Sequence, residues 1–154
     1  ELHIFNNKII FNYENLIFQS RLISGNYPFT SNLFPKEKLF SITLNKTQFY
    51  NVVDRAALFT SDKEKNIISL IVNNNTVVIK SGDGIGQVDE KIDINENVEN
   101  EFKIDFSSRY MMDSIKTFKN ETITLTFLAS DKPIVISDKD SENLMHLVLP
   151  IRSY

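Results

Sequence analysis

Apolar and polar residues alternate along most of this chain, which is the pattern of half-buried strands. Phe102, Ile104 and Phe106 alternate with Glu101, Lys103 and Asp105, and Ile123, Leu125 and Phe127 alternate with Thr122, Thr124 and Thr126. Phe40, Ile42 and Leu44 do the same with Ser41 and Thr43. Val88, Glu90, Ile92 and Ile94 share one face of a further strand, with Glu90 near its exposed end. Two segments have helical period instead. Phe49, Val52, Val53 and Ala56 make one stripe, capped by Asn45 with Gln48 three residues on, a capping-box spacing. Met111, Ile115 and Phe118 make the other, with Ser107 as its cap and Arg109, Asp113 and Lys116 on its outer face.

Taken in order, these elements repeat. Residues 39–94 read strand 39–44, helix 46–60, then strands 67–73, 76–81 and 85–94. Residues 101–149 read strand 101–106, helix 107–118, then strands 121–128, 133–138 and 143–149, with Asn95–Asn100 as the linker. A duplicated β-α-β-β-β unit implies an α+β domain with an internal pseudo-twofold and two helices on one side of antiparallel sheets. Residues 1–34 fall outside the repeat. They hold strands near 2–5, 9–13 and 16–23, Gly25 and Pro28 break the pattern, and Pro35 marks the boundary with 35–154. Glu1-Leu-His-Ile reads as a strand entered midway, so the chain is expected to be part of a longer one. Proteolysis, deliberate truncation and a natural short form all stay open, as does the oligomeric state. The apolar strand edges of residues 1–23 are expected to pair with another chain.

Composition narrows the function classes. With 154 residues, 42% hydrophobic and 12 Phe, the chain can bury a core. It has no Cys, hence no disulfide, thiolate metal site or Cys nucleophile. No apolar run approaches the roughly 18 residues of a membrane span, and the first residues lack signal-peptide character, so a cytoplasmic location without membrane association is expected. The abundance of Asn, Lys and Ile reads as AT-rich coding rather than low complexity. A net charge of −3 gives no global sign of nucleic-acid binding. The acids are nevertheless concentrated, with Asp83, Asp89, Glu90, Asp93, Glu96, Glu99, Glu101 and Asp105 against Lys91 and Lys103.

Catalytic chemistry finds little support. Gly82-Asp-Gly-Ile-Gly86 lacks the Lys-Ser/Thr of a phosphate loop and reads as a turn. His3 and His146 fit no ligand spacing and are expected to be structural, so no metal or other cofactor is expected. Asp138, Asp140 and Glu142 share a loop and could hold a cation adventitiously or serve a hydrolase or transferase, the weakest reading.

Three stretches resemble one family. Arg21-Leu-Ile-Ser-Gly-Asn-Tyr-Pro28 with Leu33-Phe-Pro35, Asp54-Arg-Ala-Ala-Leu-Phe59, and Leu147-Val-Leu-Pro-Ile-Arg152 occur in the order and spacing of the bacterial DNA polymerase III beta subunit, the DNA sliding clamp. The resemblance spans essentially the whole chain. It implies a DNA-clamp domain over 35–154, preceded at 1–34 by the last strands of an incomplete middle domain. It also implies a non-catalytic processivity factor of DNA replication, a homodimeric ring around duplex DNA. The ring tethers the polymerase III alpha subunit and meets the clamp loader through linear peptides.

By the same resemblance, the peptide pocket takes Pro28, Asn32 and Leu33 on one wall. Tyr110, Asp131, Pro133, Leu147, Leu149, Pro150, Ile151 and Arg152 form the rest. Asn32 departs from the basic residue common in the family, and Asp131 from small or apolar ones. Physically, Leu147 and Leu149 share a face of the last strand, Pro150 is expected to end its pairing, and Tyr110 sits at the flank of its helix stripe. Leu58 falls opposite its helix stripe and, followed by Phe59, suggests an interface, which the resemblance implies to be the dimer interface. The resemblance implies that the helices face DNA phosphates, which makes Lys46, Arg55, Arg109, Lys116 and Lys119 the candidates, with the acidic run on the outer sheet. The alternative is a β-rich protein-interaction adaptor that does not bind DNA.

Overall fold

The computed structural model describes residues 1–27, 29, 34, 37–60, 66–83, 86–138 and 144–151. The chain divides into two units, Glu1–Phe34 and Pro35–Tyr154. The first is a three-stranded antiparallel sheet of β1 (Leu2–Ile4), β2 (Lys8–Tyr13) and β3 (Leu16–Arg21). Its register places Leu2 opposite Phe11, Phe11 opposite Phe18, and Tyr13 opposite Leu16, so one face is almost wholly apolar. Tyr13, Leu16 and Phe18 are exposed.

The second unit contains β4 (Phe40–Asn45), α1 (Lys46–Ala57), β5 (Ile67–Asp83), β6 (Gly86–Ser107), α2 (Ser108–Ile115), β7 (Thr122–Phe127), β8 (Ile134–Ser137) and β9 (Met145–Val148). A four-stranded sheet runs β4-β7-β8-β9, and β5 pairs with β6. The expected duplication is visible in the pairing. The opening strand of the first copy, β4, pairs with β7, the strand that follows the helix of the second copy. Reciprocally, Phe102–Ser107 of β6 opens the second copy and pairs with Ile67–Val72, which follows the first helix. Each copy thus completes the other's sheet. The two helices pack against each other, α1 against β4, β5 and β6, and α2 against β6 and β9.

Both helical stripes are buried as the periodicity implies: Phe49, Val52, Val53 and Ala56 from α1, and Met111 and Ile115 from α2, with Phe118 just beyond it. Asn45 Oδ1 accepts the Gln48 amide at 2.9 Å, the expected N-cap. Ser107 occupies the N-cap position of α2 but makes no side-chain cap bond. Where the sheets meet, Phe40, Phe102 and Phe127 stack with ring centroids 4.9 to 5.2 Å apart.

Four boundaries differ from expectation. The helices end at Ala57 and Ile115 rather than at 60 and 118. In both cases the chain tightens into i→i−3 bonds, as in Phe59 N to Ala56 O and Phe118 N to Ile115 O. The strands expected at 67–73 and 76–81 belong to one element, β5, and the expected linker Asn95–Asn100 lies within β6. The register still breaks there. From the Thr76–Asp93 pair to the Val72–Phe102 pair, β5 advances four residues and β6 nine, with Asn74 opposite Val98 between them. Asn74 has φ of 51°, and the Asn75 amide donates to the carbonyls of Asn95 and Glu96. Polar side chains hold the irregular segment to its neighbour where alternation lapses.

Candidate functional site

The C-terminal segment is built on a sheet edge. β9 is the last strand of its sheet, with Leu147 opposite Val135 and Val148 opposite Ile134. Val148 is buried, so strand alternation turns Leu147 and Leu149 to the other side, and Leu149 is 69% exposed. The ladder with β8 ends at Val148, but pairing does not end at Pro150 as expected. Pro150 bridges Phe106, and Ile151 N donates to Asp105 O at 2.7 Å. Proline has no N–H to give, and the next residue supplies the donor. The chain therefore leaves the four-stranded sheet and fastens to β6.

This crossing gathers several sequence-predicted site residues. Asp105 and Phe106 lie just before α2, whose first turn carries Tyr110, 67% exposed. Pro133 directly precedes β8, and the Ile134–Val148 register points it toward the level of Leu149. Asp131 is exposed in the turn just before it, closed by Lys132 N to Ala129 O. Pro28, Asn32, Leu33 and Arg152 lie outside the described residues.

A second surface forms at the end of α1. Leu58 occupies the C-cap and is 78% exposed. Phe59 lies over Gly86, where a Cβ would come within 2.8 Å of the ring, so the ring keeps this position only over a glycine. Ser81 Oγ donates to the Ala56 carbonyl at 2.6 Å and satisfies part of the helix end from below.

The five basic candidates on the helices and just beyond α2 are not equivalent. Lys46 Nζ donates to the Phe118 carbonyl at 2.8 Å, a structural role. Arg55 is held by Glu90 of β6, with Nε 2.6 Å from one carboxylate oxygen and Nη2 3.1 Å from the other. That hydrogen bond to the guanidinium, with the attraction between the charges, lowers the Glu90 pKa and raises that of Arg55. Arg109, Lys116 and Lys119 are exposed. Lys116 Nζ stands 5.5 Å from the centre of the Tyr50 ring. Lys46, Thr47, Tyr50, Ile115 and Lys116 line an open cleft of about 380 Å³ between the helices.

The acidic run is largely engaged. Asp89 pairs with Lys80 at 3.1 Å, and Asp105 accepts the Ser69 hydroxyl at 2.5 Å with Lys103 3.7 Å away. These groups line a groove of about 590 Å³ on β5 and β6, where positive and negative side chains offset one another. Glu96 Oε1 accepts the Thr43 amide at 3.0 Å, closing a donor on the free edge of β4. Asp138 is buried, and Asp140 and Glu142 lie outside the described residues. Among the described residues no group of three His, Asp or Glu side chains is arranged to hold a metal ion. His3 stands 3.4 Å from Glu1, and His146 meets Thr117 at 2.7 Å. None of the cross-element pairs Arg55–Glu90, Thr43–Glu96 and His146–Thr117 had a local signal in the sequence.

Residues 31–152 match the family model of the DNA polymerase III beta subunit, C-terminal domain. The beta sliding clamp of Staphylococcus epidermidis is 36% identical over 149 residues, covering 96% of this chain and 40% of that protein. That of Staphylococcus aureus is 34% identical with the same coverage. The solved DNA polymerase sliding clamp of Bacillus subtilis superposes with a TM-score of 0.85 at 31% identity, over 99% of this chain and 41% of that one. The Caulobacter crescentus beta sliding clamp shares the fold at a TM-score of 0.88 and 22% identity, over 99% of this chain and 41% of its own. The chain thus spans about 40% of the length of the curated relatives it matches. The duplicated, strand-exchanged α+β fold and these matches together show that the chain belongs to the DNA polymerase III beta subunit family, the bacterial sliding clamps.

Proposed function

We propose that this chain is the peptide-docking, carboxy-terminal part of a ring-forming sliding clamp, a non-catalytic processivity factor of DNA replication in the cytoplasm. In this reading residues 1–34 are the closing strands of a middle domain and 35–154 the third domain. The ring, a homodimer of the longer protein, encircles duplex DNA without reading its sequence. It tethers the polymerase III alpha subunit and meets the clamp loader through linear peptides. Leu58 and Phe59 serve the subunit interface. The observation that carries the docking role is the exposure of Leu149 and Tyr110 beside a C-terminal segment fastened at Pro150 and Ile151. Apolar side chains held out from a rigid frame suit a short peptide anchored by Leu or Phe.

Fluorescence anisotropy with a labelled ten-residue peptide, apolar only at one Leu and one Phe, tests the docking role. Binding is expected, and Leu149→Asp is expected to weaken it about tenfold or more, the scale of a buried anchor. Urea denaturation of both proteins serves as the folding control, since Leu149 is exposed and its replacement leaves the core intact. Equal binding by the Leu149→Asp protein would overturn this reading. The adaptor alternative draws on the engagement of Lys46 and Arg55 within the protein, which leaves fewer cations for DNA. Loss of DNA retention by the ring-forming longer protein on removing Arg109 and Lys119 would reject that alternative.

A further inference from the structure

His146 lies on β9 next to Leu147, opposite Ile136 of β8. Its Nε2 is 2.7 Å from Thr117 Oγ1, just past the end of α2. The Thr117 hydroxyl donates its single proton to the Ser114 carbonyl at 2.8 Å. Its oxygen can then only accept, so His146 Nε2 must carry the hydrogen. One turn earlier, Ser114 Oγ donates to the Tyr110 carbonyl at 2.8 Å. The His146 ring also meets the buried Phe118 edge-on, with centroids 5.4 Å apart at 80°.

We infer that His146 and Thr117 are positioning residues of the docking surface: their hydrogen bond locks β9 to α2 and thereby fixes Leu147 and Leu149 relative to Tyr110. The inference rests on the docking role proposed above and adds two residues that do not touch the peptide themselves. A β9 held only by β8 would be an edge strand on one ladder of four residue pairs. The fastening of Pro150 and Ile151 to β6 restrains its far end, the clasp to α2 adds a restraint at His146, and a surface fixed before binding loses less ordering free energy on binding.

Three single variants and one double variant of the chain test it by peptide anisotropy and by NMR of the His146 ring, the Leu147 methyls and the Tyr110 ring. Thr117→Val removes the acceptor at nearly constant shape. His146→Phe keeps a ring but no donor, and His146→Gln restores an N–H near the place of Nε2. Thr117→Val and His146→Phe are each expected to weaken binding about 3- to 10-fold, the scale of one hydrogen bond. The double variant is expected to lose no more than either alone, and His146→Gln to recover most of the loss. Long-range ¹H–¹⁵N spectra are expected to place the neutral-ring proton on Nε2. Parental affinity in Thr117→Val and His146→Phe, or a proton on Nδ1, would overturn the inference. If the parent chain itself does not bind the peptide, the docking role fails instead. Positioning is then decided by whether Thr117→Val moves both the Leu147 and Tyr110 signals, and unmoved signals would overturn it.

Discussion

Arg55 and Glu90 form a two-point ion pair between α1 and β6, with donor–acceptor distances of 2.6 and 3.1 Å. The hydrogen bond from Arg55 lowers the Glu90 pKa below the ordinary glutamate range. A carboxylate with a depressed folded pKa stabilises the protein above the unfolded value, and the contribution disappears as pH falls through the folded value. Glu90→Gln should therefore be less stable than the parent at neutral pH, and the two should converge in acid. Urea midpoints measured across that range would check it. The gap should also shrink in high salt, because both side chains are partly exposed.

The same pair separates the DNA-facing candidates. If the ring proposed above encircles DNA, Arg109→Ala and Lys119→Ala in that ring should each lower the slope of log affinity against log salt by about 1, as for the loss of one phosphate contact. Arg55→Ala should leave the slope nearly unchanged, since Glu90 already offsets that charge. An equal fall for Arg55→Ala would mean that the pair opens on DNA.

The helix caps differ in a measurable way. Asn45→Ala removes a formed cap bond and should cost about 1 kcal/mol in urea denaturation. Ser107→Ala removes a side chain that makes no cap bond and should cost clearly less.

Two glycines at the junction of β5 and β6 should respond differently to alanine. A Cβ at Gly82 would meet the Gly86 carbonyl oxygen at 2.9 Å, a backbone atom, so the strands must shift at a cost of about 1–3 kcal/mol. A Cβ at Gly86 would meet the Phe59 ring at 2.8 Å, which can swing outward. Gly86→Ala should therefore cost less stability, and its signature should be a displaced Phe59 in NMR spectra. Weakened self-association of the ring proposed above would then support the proposed place of Phe59 at its subunit interface.

The sequence was most legible where one periodicity ran without interruption. Phe102, Ile104 and Phe106 marked a strand, and Phe49, Val52, Val53 and Ala56 a helix face, because burial on one side imposes spacing. The continuity of β5 and β6 was hidden because Asn73–Asn75 and Asn95–Asn100 carry no alternation, and the Asn75 side chain joins them across the fold. At the candidate site, Leu147 and Leu149 were readable as one face from their spacing. The attachment of Ile151 to Asp105 was not, since it depends on where two strands meet. Nor did local sequence reveal that Lys46 and Arg55 are occupied, because their partners Phe118 and Glu90 lie 72 and 35 residues away.

The exchange of strands between the two copies also has a consequence in time. Ser41 of β4 meets Thr126 of β7, 85 residues later in the chain. At roughly 5 to 20 residues per second of synthesis, β4 waits about 4 to 17 seconds for its partner to be made. During that interval Phe40, Ile42 and Leu44 lack the strand that pairs with them. Packing on α1, and later on β6, is what the fold offers this segment before β7 emerges to pair with it.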